Sequence, residues 1–401
     1  MISTQAGVEG PVPPPLPVLF NSSALRGPFT GIARYVWQLG QALEAGGEVS
    51  LQHYCGSGLK GQLPQPNPIA PSFFRIGAHI PGLRTLRQQG DSLLFRLRTR
   101  PQSRAGALYH EPRFIALPYH GPQVITVHDL SCFDLPETHP AERVALLARL
   151  LPRSLARADR IIAISQATAE RLQSLFGVPE ARIHVTHLAA DPVFHPRDEE
   201  ALQLPLAQLG LEAGTYLLTV GTLEPRKNLH TLFLAYQQLP APLRQAFPLV
   251  VAGMSGWHQE SLLEFASPLV RAGQIRLLGH VPESSLPALY AGARLFAYPS
   301  CYEGFGLPPL EAMASGTPVL TSDRTSLPEV VGNAGLTLPP DDVSAWHTAL
   351  ARLLEDAPER ARLSQLGLER AAGFSWQRCA RETCAAYRAA LTRHGQEHSP
   401  C

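Results

Sequence analysis

The feature that most constrains the fold is an alternation of short apolar runs with longer stretches of helical periodicity, which occurs in two successive series along the 401 residues. Strands that alternate with helices form βαβ units and therefore a parallel sheet. We predict strands at residues 17–21, 51–54, 123–128, 160–165 and 182–188 in the first series, and at 216–221, 248–253, 274–279, 294–299 and 318–321 in the second.

A polar stretch at residues 195–200 separates the two series and is typical of a linker. A chain of this length has room for two domains. We therefore predict an α/β fold of two Rossmann-like, doubly wound domains that face each other across a cleft, where such sheets bind ligands. The predicted divisions are a disordered N-terminal extension at 1–16, the first domain at 17–200, the second at 201–375, and a C-terminal helix at 376–401 that returns to the first domain.

Composition limits the class of protein. Hydrophobic residues make up 45% of the chain and charged residues 17%, which excludes a mostly disordered protein. The net charge of +1 argues against nucleic acid as a partner. The six cysteines are scattered without metal-ligand spacing, so we expect reduced thiols and a cytoplasmic protein. We expect no transmembrane helix, because the sequence has no run of 18 apolar residues, and no signal peptide, because the N-terminus lacks a basic start followed by an apolar stretch.

The stretch at residues 298–318 carries the strongest chemical pattern. Glu303 follows a predicted strand, and Glu311 lies eight residues later in a helix whose first turn contains Pro308 and Pro309. Glycines in the intervening loop let backbone amides approach a ligand, and the start of a helix favours an anion such as phosphate. Carboxylates on either side of a phosphate are suited to accept hydrogen bonds from sugar hydroxyls. The alternative is one solvated loop glutamate and one glutamate on the helix surface.

Residues 220–229 form a second pattern at a strand-to-helix turn. Arg226 and Lys227 lie at the start of a helix, with Asn228 as a candidate N-cap. Two cations are poorly placed at the positive end of a helix unless an anion lies between them and the helix, and a diphosphate would be such an anion. Lys227 and Lys60 are the two lysines in a chain whose other basic residues are arginines. The alternative is a solvated basic pair.

Two further positions are candidates on weaker grounds. His128, with Asp129 beside it, ends a predicted strand and would point into the mouth of the cleft. A structural histidine bonded to a neighbour is the alternative. Gly31 lies in the first strand-to-helix loop beside Arg34 and Tyr35, where it permits close backbone approach, or it belongs to an ordinary turn.

The order and spacing of these motifs resemble the retaining GT-B glycosyltransferases of family 4 (glycosyl transferases group 1), especially the bacterial mannosyltransferases of O-antigen and exopolysaccharide assembly. The resemblance covers residues 18 to 391. It rests on Gly31-Ile32-Ala33-Arg34-Tyr35, His128-Asp129-Leu130, Ser165-Gln166-Ala167-Thr168, Gly221-Thr222-Leu223-Glu224-Pro225-Arg226-Lys227-Asn228, Gly279-His280-Val281-Pro282 and the two glutamates Glu303 and Glu311.

The resemblance implies roles for residues that bind a nucleotide-sugar donor in the second domain. Glu303 resembles the catalytic-site carboxylate that accepts hydrogen bonds from the donor hexose. The backbone of Phe305, Gly306 and Leu307 resembles the segment that holds the diphosphate. Glu311 resembles the carboxylate on the nucleotide ribose. The first domain would bind the acceptor.

Five further positions take implied roles. Lys227 resembles the lysine that neutralises the donor diphosphate. Many relatives carry an arginine at the position of Thr222, and Arg226 would replace it here. His128 resembles the histidine near the donor sugar, and Gly31 resembles the loop glycine over the phosphates.

The implied reaction moves a hexose from a nucleoside diphosphate, with mannose from GDP-mannose favoured, onto a saccharide or a polyprenyl-diphosphate-linked glycan in cell-surface polysaccharide (lipopolysaccharide or exopolysaccharide) synthesis. Front-face attack would retain the anomeric configuration. No metal and no cofactor are expected, and the chain has no DxD motif. A hydrolysing nucleotide-sugar epimerase and a non-catalytic sugar-nucleotide-binding protein on the same fold remain alternatives.

A basic and apolar segment at residues 72–104 suggests where an acceptor could be reached. Arg84, Arg87, Arg96 and Arg98 alternate with leucines and phenylalanines, as in segments that lie at a membrane surface. We interpret it as an acceptor or membrane contact with anionic lipid, at the inner face of the plasma membrane. The alternative is a solvated basic helix with a core face.

Overall fold

Two parallel sheets form the framework of the computed structural model, which describes residues 14–27, 30–56, 58–66, 83–257 and 259–397. Within that part of the chain the first sheet has the strand order β3-β2-β1-β4-β5-β6-β7, and β3 alone runs antiparallel to its neighbour. Its strands are β1 (Leu16–Asn21), β2 (Val49–Tyr54), β3 (Leu59–Lys60), β4 (Leu108–Glu111), β5 (Gln123–Val127), β6 (Arg160–Ala163) and β7 (Ile183–Val185).

The second sheet has the order β10-β9-β8-β11-β12-β13, with every pair parallel. Its strands are β8 (Leu217–Val220), β9 (Leu249–Ala252), β10 (Ile275–Gly279), β11 (Leu295–Tyr298), β12 (Val319–Ser322) and β13 (Leu336–Leu338). The predicted α/β architecture of two doubly wound sheets is confirmed.

Helices cover the sheets, as the right-handed crossover between parallel strands requires. Those that follow strands of the first sheet are α1 (Gly31–Gly46), α2 (Leu83–Arg104), α3 (Ser131–Asp134), α4 (Ala141–Arg157) and α5 (Gln166–Phe176). The remainder are α6 (Glu199–Gln208), α7 (Leu229–Gln237), α8 (Ala241–Ala246), α9 (Glu260–Arg271), α10 (Leu286–Ala291), α11 (Leu307–Ala314), α12 (Leu327–Val331), α13 (Val343–Glu355), α14 (Ala357–Ala372) and α15 (Trp376–Glu397).

Every predicted strand is present, but the sequence missed β3, β4 and β13. The omission of β4 matters because it lies in the middle of the first sheet. Its sequence includes His110 and Glu111, so it lacks the apolar run that marks a buried strand. Both polar side chains are fully buried and hydrogen-bonded; the His110 ring, for example, contacts the Tyr387 hydroxyl at 2.7 Å and Thr126 Oγ1 at 2.8 Å.

Two segment predictions need correction. Leu16 is the first residue of β1, so the proposed extension ends before it; residues 1–13 lie outside the described part of the chain. The supposed linker at 195–200 ends in helix: Glu199 and Glu200 form the first turn of α6, and the Asp198 carboxylate accepts a hydrogen bond from the backbone N–H of Ala201. A helix forms there because acidic residues favour a helix N-terminus.

The last helix joins the two halves. α15 starts after α14 on the second sheet's side and packs against α1 and against strands β5, β6 and β7 of the first sheet. Trp376, Cys379, Ala386 and Tyr387 on α15 are buried in this contact. The five cysteines among the described residues are free thiols. None of the described helices is both long and apolar enough to span a membrane.

In each sheet the chain adds strands outward on one side of a central strand and then outward on the other side. The position between these two halves is the topological switch point, and ligands bind doubly wound sheets there. In the first sheet this switch point lies between β1 and β4, and in the second between β8 and β11. Polar side chains are concentrated at the carboxyl ends of both strand pairs.

Candidate active site in the cleft between the sheets

Glu303 lies in the loop after β11 and is 8% exposed. Its Oε1 accepts hydrogen bonds from Lys227 Nζ at 2.6 Å, Ser300 Oγ at 2.6 Å and the Tyr298 hydroxyl at 2.9 Å, while Arg226 Nη1 lies 3.2 Å from Oε2. The structure therefore brings together three predicted residues, Glu303, Lys227 and Arg226, at the switch point of the second sheet. The alternative of a solvated loop glutamate is excluded.

Charge pairing controls the ionisation of this cluster. Burial raises the pKa of Glu303, but Lys227 and Arg226 outweigh it and lower that pKa to about 2. Burial lowers the pKa of Arg226, yet the nearby carboxylates of Glu303, Glu224 and Asp129 raise it above its ordinary value. Burial and the Arg226 charge lower the pKa of Lys227. Glu303 is thus a fixed negative charge at neutral pH.

Arg226 and Lys227 do not need a diphosphate to supply an anion beside them at the start of the helix. Arg226 forms ion pairs with Glu224 at 2.6 Å and with Glu303, and Lys227 pairs with Glu303. Protein carboxylates supply the anions that the sequence argument assigned to a ligand. A bound diphosphate would have to share these cations with Glu303.

Asn228 does not cap α7 as predicted. It lies at the N-cap position with φ of 52°, and its side chain caps no backbone N–H of the helix. Its Nδ2 instead donates to the carbonyl oxygens of Pro299 at 3.3 Å and Pro340 at 2.6 Å. Asparagine tolerates this left-handed conformation better than most residues. It ties the turn that carries Arg226 and Lys227 to the segment that leads to Glu303.

The loop between Glu303 and α11 is held by two hydroxyls on the opposite segment. The Glu303 N–H donates to Thr325 Oγ1 at 2.9 Å, and Ser326 Oγ donates to the carbonyl oxygens of Glu303 and Phe305 at 2.9 and 2.7 Å. Gly306 has φ of 111°, a region that favours glycine. These contacts fix the backbone just before the helix.

α11 begins at Leu307, with prolines in its first turn as predicted. The side chain of Phe305 is buried, with its ring centroid 5.9 Å from that of His187 and 5.8 Å from that of Phe374. Its role at the site can therefore come only from its backbone. Pro308 and Pro309 have no N–H, and the Leu310 N–H donates to the carbonyl oxygen of Gly306, so the anion-binding character of this helix start rests on the N–H groups of Gly306 and Leu307.

Glu311 lies inside α11 and is 6% exposed, so it is not a surface glutamate. Burial raises its pKa to about 7, although Arg34 opposes this shift. Arg34 Nη1 lies 3.3 Å from Glu311 Oε1, and the same guanidinium contacts Glu283. Arg34 comes from α1 on the first sheet, so these ion pairs cross the cleft.

His128, directly after β5, is 7% exposed. Its Nε2 lies 2.8 Å from the carbonyl oxygen of Pro112, and since a carbonyl only accepts, Nε2 carries the proton. Burial lowers the pKa of His128, which leaves the ring neutral with Nδ1 as an acceptor. The structural role that the sequence left open is present, and it is compatible with a site role because Gly304 packs on the His128 backbone.

The remaining predicted donor residues are placed differently from expectation. Gly31 is the first residue of α1 rather than a loop residue, with Thr30 as its N-cap and open space beside its Cα. Thr222 is half-buried, and its Cγ2 faces Gly256. The positive charge in the segment that contains Thr222 comes from Arg226 and Lys227.

The predicted acceptor or membrane arginines all belong to α2. Arg96 and Arg98 are exposed, whereas the side chains of Arg84 and Arg87 lie outside the description. Leu93, Leu94 and Leu97 are also exposed on this helix, whereas Phe95 and Thr99 are buried. The described residues contain no group of three side chains that could ligate a metal ion.

Sequence reasoning missed several residues that hold the predicted ones. Tyr298 and Ser300 precede Glu303 in its own motif, and Glu224 precedes the cation pair, so proximity in sequence was an available signal. Arg34 belongs to the motif at Gly31 but was given no role of its own, and Thr325 lies on a distant segment that no local pattern linked to the site.

Comparison with known proteins agrees with this geometry. Residues 29–194 match the family model described as Glycosyltransferase Family 4, and residues 207–370 match Glycosyl transferases group 1. The chain is 38% identical over 380 residues to O-antigen chain mannosyltransferase B of Escherichia coli, which covers 92% of this chain and 99% of that protein. It is also 36% identical over 225 residues to the serotype-specific mannosyltransferase WbdA of Escherichia coli, covering 55% of this chain and 27% of WbdA.

Solved structures share the fold. Sucrose-phosphate synthase from Thermosynechococcus elongatus superposes with a TM-score of 0.72 at 21% identity, covering 94% of this chain and 99% of that one. WaaG, a glycosyltransferase involved in lipopolysaccharide biosynthesis, superposes with a TM-score of 0.67 at 16% identity, covering 93% and 99%.

Proposed function

This chain belongs to the glycosyltransferases of group 1 and family 4, and we propose that it transfers mannose from GDP-mannose, with retention of configuration, to a growing saccharide chain in cell-surface polysaccharide synthesis. It has the GT-B fold of that family. The observation that carries the proposal is the buried Glu303 carboxylate, held by Lys227 and Arg226 next to the start of α11. The specific sugar and acceptor class follow from the mannosyltransferases to which the chain is similar.

In this proposal the donor lies across the second sheet's switch point. The diphosphate binds the amide groups at the start of α11 and the ammonium of Lys227. Glu303, which is ionised because of its two cationic partners, accepts hydrogen bonds from the hexose hydroxyls. Glu311 accepts from the nucleotide ribose.

The chemical step exchanges one bond for another on the same face of the sugar. The bond between the anomeric carbon and the leaving phosphate oxygen breaks, and a bond from that carbon to the acceptor oxygen forms. The acceptor proton passes to the leaving phosphate oxygen. Negative charge grows on the diphosphate, where Lys227, Arg226 and the fixed amides stabilise it without reorganisation. His128 is neutral and positions the sugar and acceptor.

We further propose contact with an anionic membrane surface through α2. Leu93 and Leu97 are each 58% exposed and Leu94 is 46% exposed, beside the exposed Arg96 and Arg98. Exposed apolar side chains on a basic helix are typical of an interfacial segment. Such a contact would place the enzyme at the cytoplasmic surface that carries a lipid-linked acceptor.

A donor panel tests the proposed function. GDP-mannose, UDP-glucose, UDP-galactose and dTDP-rhamnose are compared by the melting shift that each produces and by the products formed with a mannoside acceptor. We expect the largest shift and a retained α-mannoside product with GDP-mannose. Release of nucleotide without any need for an acceptor would favour a hydrolysing epimerase, and binding without turnover would favour a non-catalytic protein.

A further inference from the structure

The first sheet has its own polar cluster, at the switch point between β1 and β4. Asn21 is the last residue of β1 and Glu111 the last residue of β4, and both are fully buried. The corresponding point of the second sheet, between β8 and β11, carries the Glu303 cluster. Because ligands bind doubly wound sheets at their switch points, the first sheet offers a second binding position across the cleft.

Glu111 orders this cluster. Its Oε2 accepts hydrogen bonds from Asn21 Nδ2 at 2.6 Å and from the Tyr109 hydroxyl at 2.7 Å, while its Oε1 accepts from Arg113 Nε at 3.0 Å. Arg113 Nη2 also donates to Ser23 Oγ at 2.9 Å. A carboxylate without solvent exposure is costly unless it is paired in this way. Both Glu111 oxygens are therefore committed to holding neighbours.

Arg113 differs from its partners because it is partly open to solvent. Its side chain is 37% exposed, while that of Glu111 is fully buried. A guanidinium has five N–H donors, and two of those on Arg113 bond to described residues. The Glu111 carboxylate raises the pKa of Arg113, so the donors stay charged. An oriented donor set is thus presented at the carboxyl edge of the sheet.

Short contacts connect Arg113 to the reaction centre. Pro112, its neighbour, accepts the hydrogen bond from His128 Nε2 at 2.8 Å. Phe114, on its other side, packs against the His128 ring with centroids 5.7 Å apart. The backbone of His128 is in turn in contact with Gly304, next to Glu303. Arg113 therefore lies between two residues that contact His128, at the point where the carboxyl ends of the two sheets meet.

We propose that Arg113 binds hydroxyl groups of the acceptor saccharide, with Glu111 and Ser23 as positioning residues that fix its guanidinium. This inference rests on the proposed function and names the acceptor site within it. Glu111 compensates the charge of Arg113, so the pair suits neutral hydroxyls, which accept from the guanidinium, better than a phosphate. A purely structural ion pair is the competing interpretation, and it predicts effects on stability without effects on acceptor kinetics.

The test uses the full chain with GDP-mannose and octyl α-mannobioside as the acceptor probe. R113M removes the donors, and R113K keeps the charge but loses the fork geometry. Because R113M leaves a buried carboxylate unpaired, the double variant E111Q/R113M provides a form without that charge. R378A is the matched control, since it breaks an arginine–glutamate pair on α15 far along the chain.

The acceptor site predicts that the KM for the mannobioside rises at least tenfold in R113M and in E111Q/R113M, with an intermediate rise in R113K. The affinity for GDP, measured by thermal shift, stays within twofold of wild type, and R378A matches wild type throughout. An unchanged acceptor KM in a folded R113M or E111Q/R113M protein overturns the acceptor site while leaving the proposed function intact. Absence of mannosyl transfer by the wild-type protein overturns the proposed function and, with it, this inference.

Discussion

A β-carbon on residue 304 would stand 1.9 Å from the carbonyl oxygen of His128, so Gly304 and His128 are in direct backbone contact across the cleft. Gly304 belongs to the loop that carries Glu303, and His128 directly follows β5 of the first sheet. The two sheets' carboxyl ends thus meet at this point. Trp257 Nε1 donates a hydrogen bond to the carbonyl oxygen of Thr138 at 2.5 Å and adds another contact between the domains.

Replacing Gly304 by alanine should prevent this approach. The added methyl group meets backbone rather than a flexible side chain, so the loop and His128 must separate. We expect kcat/KM to fall about a hundredfold, the effect of misplacing reacting groups by about 1 Å. Steady-state GDP release measures the loss. G46A is the control, because a β-carbon there meets nothing within 4 Å; similar losses in both variants would contradict the explanation.

Lys227→Ala should reduce the rate of transfer without abolishing the fold. Loss of one positive group at the leaving diphosphate costs about 2.7–4 kcal/mol of transition-state stabilisation, or a factor of about 10²–10³ in kcat. The measurement is initial-rate product formation at saturating donor. Lys60→Ala is the matched control, an exposed lysine on β3. Unchanged turnover in K227A would refute the role of Lys227.

Glu311 should make the stability of the protein depend on pH near neutrality. Its pKa is raised from 4.5 to about 7 by burial, so the folded state holds a proton that the unfolded state has lost. The stabilisation is complete below pH 4.5 and is lost as pH rises through 7, by about 3 kcal/mol in total.

Glu311→Gln removes this titration. We expect the unfolding free energy of E311Q to rise relative to wild type by up to about 3 kcal/mol between pH 4.5 and pH 8. Urea denaturation at several pH values measures the difference. A constant difference across this range would show that Glu311 titrates normally.

Glu329 on α12 should hold the domains together. Its carboxylate accepts hydrogen bonds from the backbone N–H of Gln166 at 2.8 Å and of Ala167 at 3.4 Å, at the start of α5, and contacts His187 Nε2 at 2.5 Å. A carboxylate at a helix N-terminus contributes about 0.3–1 kcal/mol at exposed sites. We expect E329A to be more open in small-angle X-ray scattering and to lose about fivefold in kcat/KM.

The control for Glu329 is E369A, because Glu369 is an exposed glutamate whose described hydrogen bond, to Gln365, stays within α14. A scattering profile of E329A that matches both wild type and E369A would mean that this contact does not hold the domains together.

The exposed leucines of α2 should govern membrane binding. We expect the wild-type protein to sediment with phosphatidylglycerol-containing vesicles and the triple variant L93Q/L94Q/L97Q to remain in the supernatant. L204Q is the control, since Leu204 is 68% exposed but lies on α6. Sedimentation that does not change with anionic lipid content would remove the proposed contact.

The local pattern of apolar runs and turn residues predicted most strands of this fold but did not predict β4. The predicted strands are apolar runs bounded by turn residues, and those features are visible within a few residues of sequence. β4 is central yet carries His110 and Glu111, whose burial depends on partners far along the chain, such as Tyr387 and Asn21. A polar strand of this kind becomes recognisable only when its hydrogen-bond partners are known.

The candidate site shows the same division. Spacing within one segment linked Glu303 to Glu311 and Arg226 to Lys227. It did not show that Glu303 pairs with Lys227, because loop residues from two different βα units meet only when the strands lie side by side.

By itself, then, the sequence determined the two series of βα units, the positions of the turns at the carboxyl ends of their strands, and the residue types available there. The tertiary structure decided which charges face each other: Glu303 with Lys227 and Arg226, and Glu311 with Arg34. The reason is physical. Periodicity and turn chemistry act over a few residues, whereas desolvation and ion pairing depend on what the fold brings together from segments far apart in the chain.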